Sequence, residues 1–425
     1  MPAFLALCFR WNKRTLQAMK STIHELHRTQ SPIVTINGGS SSIKFAIFDP
    51  SVTLVRKLHG KLDRIGVCDT SFEFHDAERN ASTKLPIQIE SYEAATHWLI
   101  DWLESRVDFK SAAAIGHRMV HGMQHTESAL ITGELLDDLQ RIVACAPHHL
   151  PGELALIRSF RARYPQLLQF ACFDTEFHAM MPRVATLFAL PRRYDQQGVR
   201  RYGFHGLSYA YMMRELQRLG DGAATRGRVI LAHLGNGASL AAVLDGKSID
   251  TTMGFTPAAG IPMSTRAGDI DPGLVGYLAR TEQLSFSQFE QMINHESGLL
   301  GISERSSDVR DLIANASLDS RASDAIELFC YQVKKTIGSF VAALGGLQTL
   351  VFAGGIGENA ARIRQRICDG LGCFGIELDA ASNDRNDAVI SSVQSIVNVR
   401  VVRTDEEQMI ASIVQDRLGA KSASE

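Results

Sequence analysis

Three short stretches set basic side chains beside glycines: residues 116–122 (GHRMVHG), 202–206 (YGFHG) and 264–273 (STRAGDIDPG). Arg118, His205 and Arg266 in such turns suit a reactant that is itself negatively charged, because guanidinium and imidazole N–H groups match carboxylate and phosphate oxygens. One arginine in a turn is usually just solvated; three such turns in one chain call for a common explanation. A fourth stretch, residues 33–49 (IVTINGGSSSIKFAIFD), puts Gly38, Gly39, three serines and Lys44 between two apolar runs. Glycines let a ligand reach backbone N–H groups, and hydroxyls and an ammonium add donors that phosphate oxygens accept. Alone, the stretch reads equally well as a hairpin with a polar tip.

Other motifs narrow the chemistry. Gly246-Lys247-Ser248 resembles the end of a Walker loop, but the glycine required five residues earlier is Ala241. Residues 355–360 (GIGENA) fit G-x-G-x-x-A between a strand and a helix, with Glu377 about twenty residues on. That pattern keeps an NAD-dependent oxidoreductase open, although such a unit normally starts a domain. A strand–glycine turn–helix serves any nucleotide phosphate, since the helix N-terminus offers free N–H groups. His117, His121 and His125 are spaced by four, yet Gly122 and the β-rich context speak against a helix that would gather them on a metal.

The elements that must hold these residues include a duplication. Shifted by 196 positions, residues 229–245 (VILAHLGNGASLAAVLD) fall on residues 33–49, with Gly39 on Gly235 and Asp49 on Asp245. Two copies of one hairpin predict two similar lobes whose turns face one cleft. A chain of 425 residues has room for two or three domains, and 45% hydrophobic with 21% charged residues is ordinary for a soluble enzyme. A net charge of −2 gives no support for nucleic-acid or anionic-membrane binding, and no apolar run approaches a membrane helix. Seven scattered cysteines without a CxxC pair point to a reducing compartment, the cytoplasm, and away from structural zinc. Residues 1–30 read as a loosely held extension, with Met19 a plausible alternative start.

Along the chain, short strands are expected over 51–83, an amphipathic helix over 91–105 and a strand over 112–120. Helices follow over 133–146 and 153–164, then a strand over 169–173 that ends at Asp174. The clearest helix covers 321–346: Ile326, Phe329, Val333, Ile337, Phe340 and Leu344 recur every three or four residues before Gly345-Gly346. A strand over 349–353, the glycine turn 354–357 and a helix from Glu358 come next, and the last helix starts at Thr404. There, Thr404 and Glu407 have the spacing of a capping box, which leaves Glu406 free.

Taken in order, INGGSSSIKF, GHRMVHG, FDTEFH, RRYGFHGLS, HLGNGASL, MSTRAGDIDPG, AGGIGEN and TDEE resemble the acetate kinase family from about Ile33 onward. The resemblance implies an α/β, duplicated two-lobe actin-like ATPase fold of the ribonuclease H-like kind, each lobe a mixed sheet flanked by helices. It divides the chain into residues 31–174 (acyl and phosphate side), 175–403 (nucleotide side) and a helix, 404–425, returning to the first lobe. It implies ATP or ADP as co-substrate, Mg²⁺ or Mn²⁺ at Asn37 and Glu406, and Lys44 near the phosphates. His233, Leu234, Gly235, Asn236 and Gly237 match the phosphate loop. Asp308, Val309 and Arg310, with Gly355, Ile356, Gly357, Glu358 and Asn359, match the nucleotide-contacting segments. Arg118 matches the carboxylate-binding arginine, Asp174 the active-site aspartate, and His205 with Arg266 the pair that steadies the transition state. The acyl pocket would comprise Arg118, Val120, His148, Phe204 and Pro257, and a homodimer is implied.

The implied chemistry agrees with the residue types. A carboxylic acid is ionised at pH 7, so the acceptor needs no general base, and positive charge must bring two anions together. A sugar kinase would instead need Asp174 as base and could spare an arginine. Several positions depart from the family's usual text: His148 and Leu150 in PHHLP, Leu207 and Tyr209 after FHG, Ala259 before Gly260, and Glu176 in FDTEFH. These bear on acyl-chain preference, so a propionate or other short-chain acid kinase stands beside an acetate kinase. A nucleotide-binding protein without turnover is the reading from outside catalysis.

Overall fold

The computed structural model describes residues 31–39, 41–50, 53–66, 69–147 and 149–422. The expected N-terminal extension and His148 therefore lie outside the described residues. Two sheets organise the rest. The first takes β1 (Ile33–Gly38), β2 (Ser42–Asp49), β3 (Val55–Asp63), β4 (Ser71–Asp76), β5 (Ala81–Pro86), β6 (Ala114–Met119), β7 (Ala129–Leu130) and β8 (Leu168–Phe173). Their spatial order is β5-β4-β3-β2-β1-β6-β8-β7. The second takes β9 (Arg228–Leu234), β10 (Ala238–Leu244), β11 (Lys247–Thr251), β12 (Thr349–Ala353) and β13 (Asn398–Val401), ordered β11-β10-β9-β12-β13.

The repeated hairpin heads each sheet. In both, an antiparallel three-strand meander (β1–β3, β9–β11) is followed by two parallel strands beside its first member (β6 and β8, β12 and β13). Gly38 pairs with Ile43 and Leu234 with Ala238, so the first turn holds residues 39–42 and the second residues 235–237. The copies thus differ by one residue at the tip, where the chemistry differs too. The antiparallel meander also distinguishes the second sheet from the all-parallel Rossmann arrangement that GIGENA alone suggested.

Helices cover both faces because the central strands are apolar on both. Ser91 caps α1 (Tyr92–Glu104) by accepting from Ala94 N–H, and α1 with α2 (Leu150–Arg163) buries Leu99, Leu103, Leu156 and Phe160 on the first sheet. On the second sheet, α3 (Gly206–Arg218) lays Tyr209, Met212 and Leu216 against Val229, Leu231 and Val243. Between the halves of that lobe run α4 (Gly273–Thr281) and α5 (Val309–Asn315). The long helix α6 (Ser320–Leu344) buries its whole predicted stripe and stops at Gly345, whose φ of 69° suits glycine. Next, α7 (Gly354–Asn359) begins at the first glycine, earlier than the predicted Glu358, so the glycine turn is itself the first helical turn.

Finally α8 (Glu406–Ser422) crosses back to the first sheet, where Met409, Ile410 and Val414 pack on Ile33, Ala46, Ala114 and Phe170. A Cβ on Gly116 would stand 2.4 Å from Ile410, which explains the glycine that opens GHRMVHG. Among the described residues no helix is long and apolar enough to cross a membrane.

Candidate active site

The ends of β1, β6 and β8 and the start of α8 bring four predicted residues together. Arg118, on β6, donates to both oxygens of Asp174 at 3.2 and 2.6 Å and to Asn37 Oδ1 at 3.3 Å. Its Nε also lies 3.9 Å from Glu406. Asn37 Nδ2 in turn donates to Glu406 at 3.0 Å and to Glu407 at 3.2 Å. Burial raises the Asp174 carboxyl, Arg118 opposes it, and Glu406 adds to the rise. Burial pulls Glu406 upward too, but Arg118, Lys44 and His233 outweigh it and keep this carboxylate below its usual range.

The expected capping box is shifted by one residue. Asp405, not Thr404, caps α8 by accepting from Gln408 N–H, and Thr404 Oγ1 bonds Ser208 Oγ instead. Glu407 is thereby released from the structural task the spacing assigned to it and faces Asn37 beside Glu406.

From the other side come His205 and Arg266. Gly206 N–H donates to Asp174 O at 2.8 Å, and a Cβ on Gly206 would stand 2.2 Å from that oxygen. This close approach, with His205 at a left-handed φ of 60°, carries the imidazole to the Asp174 strand end. A Cβ on Gly237 would lie 3.1 Å from His205 Nε2 and 3.7 Å from Arg266 Nη1, so the second hairpin turn, His205 and Arg266 share one small space. Arg266 is held by Pro257 O at 3.2 Å. Burial and the Arg118 charge both pull the Arg266 guanidinium below its ordinary range, which puts the two arginines within electrostatic reach.

Burial disfavours the charged form of both histidines at the site. Burial comes first in lowering His205, followed by His233, Arg118 and Arg266; burial likewise lowers His233, with Lys44 and Arg118 adding to it against Glu406. His205 Nδ1 bonds Ser239 Oγ at 2.8 Å, and Ser239 also bonds the buried Tyr209 hydroxyl. A tyrosine proton on Ser239 and a serine proton on Nδ1 satisfy the chain and leave Nε2–H as a donor to the site. Ser208 and Thr404 serve His233 Nδ1 in the same way. In this burial His205 offers a directed N–H.

A cavity of about 620 Å³ opens beside this cluster. It gathers Lys44 from the first hairpin; His233, Gly235 and Asn236 from the second; Asp308, Val309 and Arg310; Gly355, Ile356, Glu358 and Asn359; and Glu406. Leu234 and Gly357 do not line it: Leu234 is fully buried in the core and Gly357 backs onto Phe352. Glu358 Oε1 accepts from both Gly354 N–H and Thr404 N–H, fixing the α7 turn to the approach of α8. Asp308 caps α5 and pairs with the exposed Arg310. Gly38 corrects a sequence-based expectation. A Cβ there would meet Leu156 and the Tyr92 hydroxyl at 2.6 Å each, so its bareness serves packing, while Gly39 N–H is spent on Ser42 O. Among the first hairpin's described residues, Lys44, on the strand after the turn, lines the cavity.

Beside Arg118, Val120 and Phe204 are buried in one cluster, and His121 meets Tyr202 and Phe204 edge-on. His117 bonds Gln169 and His125 lies 3.3 Å from Asp138, so the three spaced histidines part to three environments. Glu153, which sequence reasoning passed over as part of a helix, accepts Val120 N–H on both oxygens at 3.1 and 3.3 Å. Burial pushes its carboxyl up to about 8 despite the opposing Arg118 and Val120 N–H. Nothing local in the sequence marks it.

A folded-state pKa above the unfolded value makes the contribution of Glu153 complete below about pH 4.5 and lost as pH rises towards 8. Glu153→Gln keeps an acceptor for Val120 and cannot ionise. Urea unfolding at pH 5 and pH 8.5 should show the parent losing about 3–5 kcal/mol relative to the variant over that interval. Equal pH dependence in both proteins would count against a buried neutral Glu153.

The chain has clear relatives. A family model described as the Acetokinase family matches residues 32–412. The chain is 40% identical to an acetate kinase of Methylocella silvestris over 394 residues, covering 89% of this chain and 96% of that one. Among solved structures, it is similar to Porphyromonas gingivalis acetate kinase, with a TM-score of 0.80 and 34% identity, covering 90% of this chain and 98% of that one. A propionate kinase from Francisella tularensis gives a TM-score of 0.84 at 37% identity over the same shares.

Proposed function

The chain belongs to the acetokinase family, and we propose that it transfers the γ-phosphoryl group of ATP reversibly to acetate, giving acetyl phosphate and ADP. The observation that carries this reading is that His205 and Arg266 meet at the second hairpin turn, within electrostatic reach of Arg118 and beside the cavity that Gly235, Asn236, Lys44 and Glu406 line. Arg118 holds the acceptor carboxylate. Its oxygen forms the new bond to phosphorus as the bond from phosphorus to the β-phosphate oxygen breaks, and ADP leaves with that electron pair. Arg266 and His205 Nε2–H stabilise the charge on the transferring group. Asp174 keeps Arg118 aimed, and no proton need be removed from the acceptor.

Glu406 would hold a Mg²⁺ ion through its carboxylate, a hard donor; Asn37 would join it by turning over its amide, which here gives its nitrogen to Glu406 and its oxygen to Arg118. Among the described residues no group of three or more His, Cys, Asp or Glu side chains could hold a metal unaided. Such sparse protein ligation suits an ion bound largely through phosphates and water. When bound, it neutralises phosphate charge.

Propionate is the second reading, favoured by the similarity to the Francisella propionate kinase. Trapping acyl phosphate as hydroxamate with formate, acetate, propionate and butyrate tests both. Acetate is expected to give the highest kcat/KM. ATP binding without hydroxamate from any acid would replace the kinase with a binding protein, and oxidation of a reduced nicotinamide would restore the dehydrogenase.

The protein works as a cytoplasmic homodimer on this reading. Helix α4 is nine residues long, none of them buried, with Leu274, Val275 and Tyr277 exposed. So short a helix is not stable without a partner surface, and a second copy would supply it. Sedimentation should give a dimer for the parent and a shift towards monomer for Tyr277→Arg. A monomeric parent would refute this.

A further inference from the structure

We propose that the open half of the first sheet carries a second site, for a compact oligophosphate, whose occupant competes with nucleotide for Lys44. The register of β2 to β5 builds it. Lys44 pairs with Lys61, Lys61 with Glu73 and Glu73 with Lys84, while Ala46, His59, His75 and Ser82 form the adjacent row. Directly paired residues project from the same face of a sheet, so both rows share one side. That side is the one α8 covers at Ala46. Beyond it the rows enclose a cavity of about 440 Å³, lined also by Arg56.

Four permanent cations and two imidazoles face two carboxylates, Glu73 and Glu407, in this cavity. The present partners are displaceable: Lys84 pairs with Glu73, and Lys61 lies 2.7 Å from Asp63, all well exposed. Exposed pairs of this kind contribute little, about 0–1 kcal/mol. Arg56 is more committed, paired with Asp405 over the Phe48 ring, and forms a wall. His59 Nδ1 has no hydrogen-bond partner, and the His59 and His75 ring centroids stand 5.3 Å apart. The row from β2 to β5 crosses three strand spacings, about 14 Å. A single phosphate would reach at most the adjacent Lys44 and Lys61; a short chain of phosphates reaches on to Lys84.

The coupling follows from shared walls. Lys44 and Glu407 line this cavity and the nucleotide cavity alike. One ammonium cannot serve both, so each ligand must weaken the other by the same factor. The inference rests on the proposed phosphate role of Lys44, and the test separates the two.

Tripolyphosphate is the probe, at constant free Mg²⁺, with calorimetry and the hydroxamate assay on the full chain. The parent should bind it and show a raised KM for ATP at unchanged kcat. The double variant Lys61→Ala/Lys84→Ala should need about tenfold more tripolyphosphate for the same inhibition, with its own kinetics unaltered when the probe is absent. His75→Ala should weaken binding in the same direction. Undiminished inhibition of the double variant would place the probe in the nucleotide cleft and overturn the proposal, as would no binding to the parent. Absence of any acyl phosphate would sink the kinase reading, while calorimetry would still decide the second site.

Discussion

Arg118→Ala should lower kcat about 10³-fold, the upper end of what loss of one preorganised charge donor costs. The geometry gives the reason. Arg118 bonds both Asp174 and Asn37 and stands 3.9 Å from Glu406. Its removal deletes the cation that would meet the acceptor carboxylate and leaves the buried Asp174 carboxyl without its charged partner. Asp174 must then take up a proton or the site must open, and breaking a buried pair costs about 3–5 kcal/mol. Arg118→Lys should recover little, because the two parallel bonds to Asp174 need a planar fork. Steady-state hydroxamate kinetics for both variants, with thermal unfolding alongside, provide the check. A kcat within tenfold of the parent for the alanine variant would remove Arg118 from the chemistry.

The second large effect distinguishes an orienting carboxylate from a base. Asp174→Asn keeps the side chain's shape and one acceptor oxygen but removes the charge opposite Arg118. It should lower kcat about 10²–10³-fold at every pH, with the pH–rate profile keeping its shape. The acceptor is already an anion near neutrality, so there is no proton for Asp174 to take. Stability should fall as well, since among the described residues Arg118 would be left with Glu406 as its one charged partner within 4 Å. Loss of one limb of the profile, with acid and ATP still binding, would make Asp174 a base and reopen the sugar-kinase comparison.

Much of this was legible in the sequence where the information is local and periodic. The two hairpins, their offset of 196 and the stripe of α6 depend on strand alternation and helical spacing, and the structure reproduces them. The convergence of distant segments on one cavity was legible through the ordered motifs rather than through any single one. What stayed hidden is tertiary. Thr404…Glu407 and Asp405…Gln408 both fit a capping pattern, and only the bond from Thr404 to Ser208 selects the second. Gly38 looks like a ligand glycine until Leu156 and Tyr92 are placed against it. The charge on His205 depends on burial, which a turn sequence does not reveal.

The route of α8 has a consequence for biosynthesis. Glu406 and Glu407 are translated after both sheets, yet they complete the corner formed by Asn37 and Arg118, residues that leave the ribosome near the start. A growing polypeptide can therefore assemble the nucleotide cavity's remaining walls and still lack its acidic corner until the final helix docks. Activity should switch on once this helix has docked rather than accrue gradually during elongation.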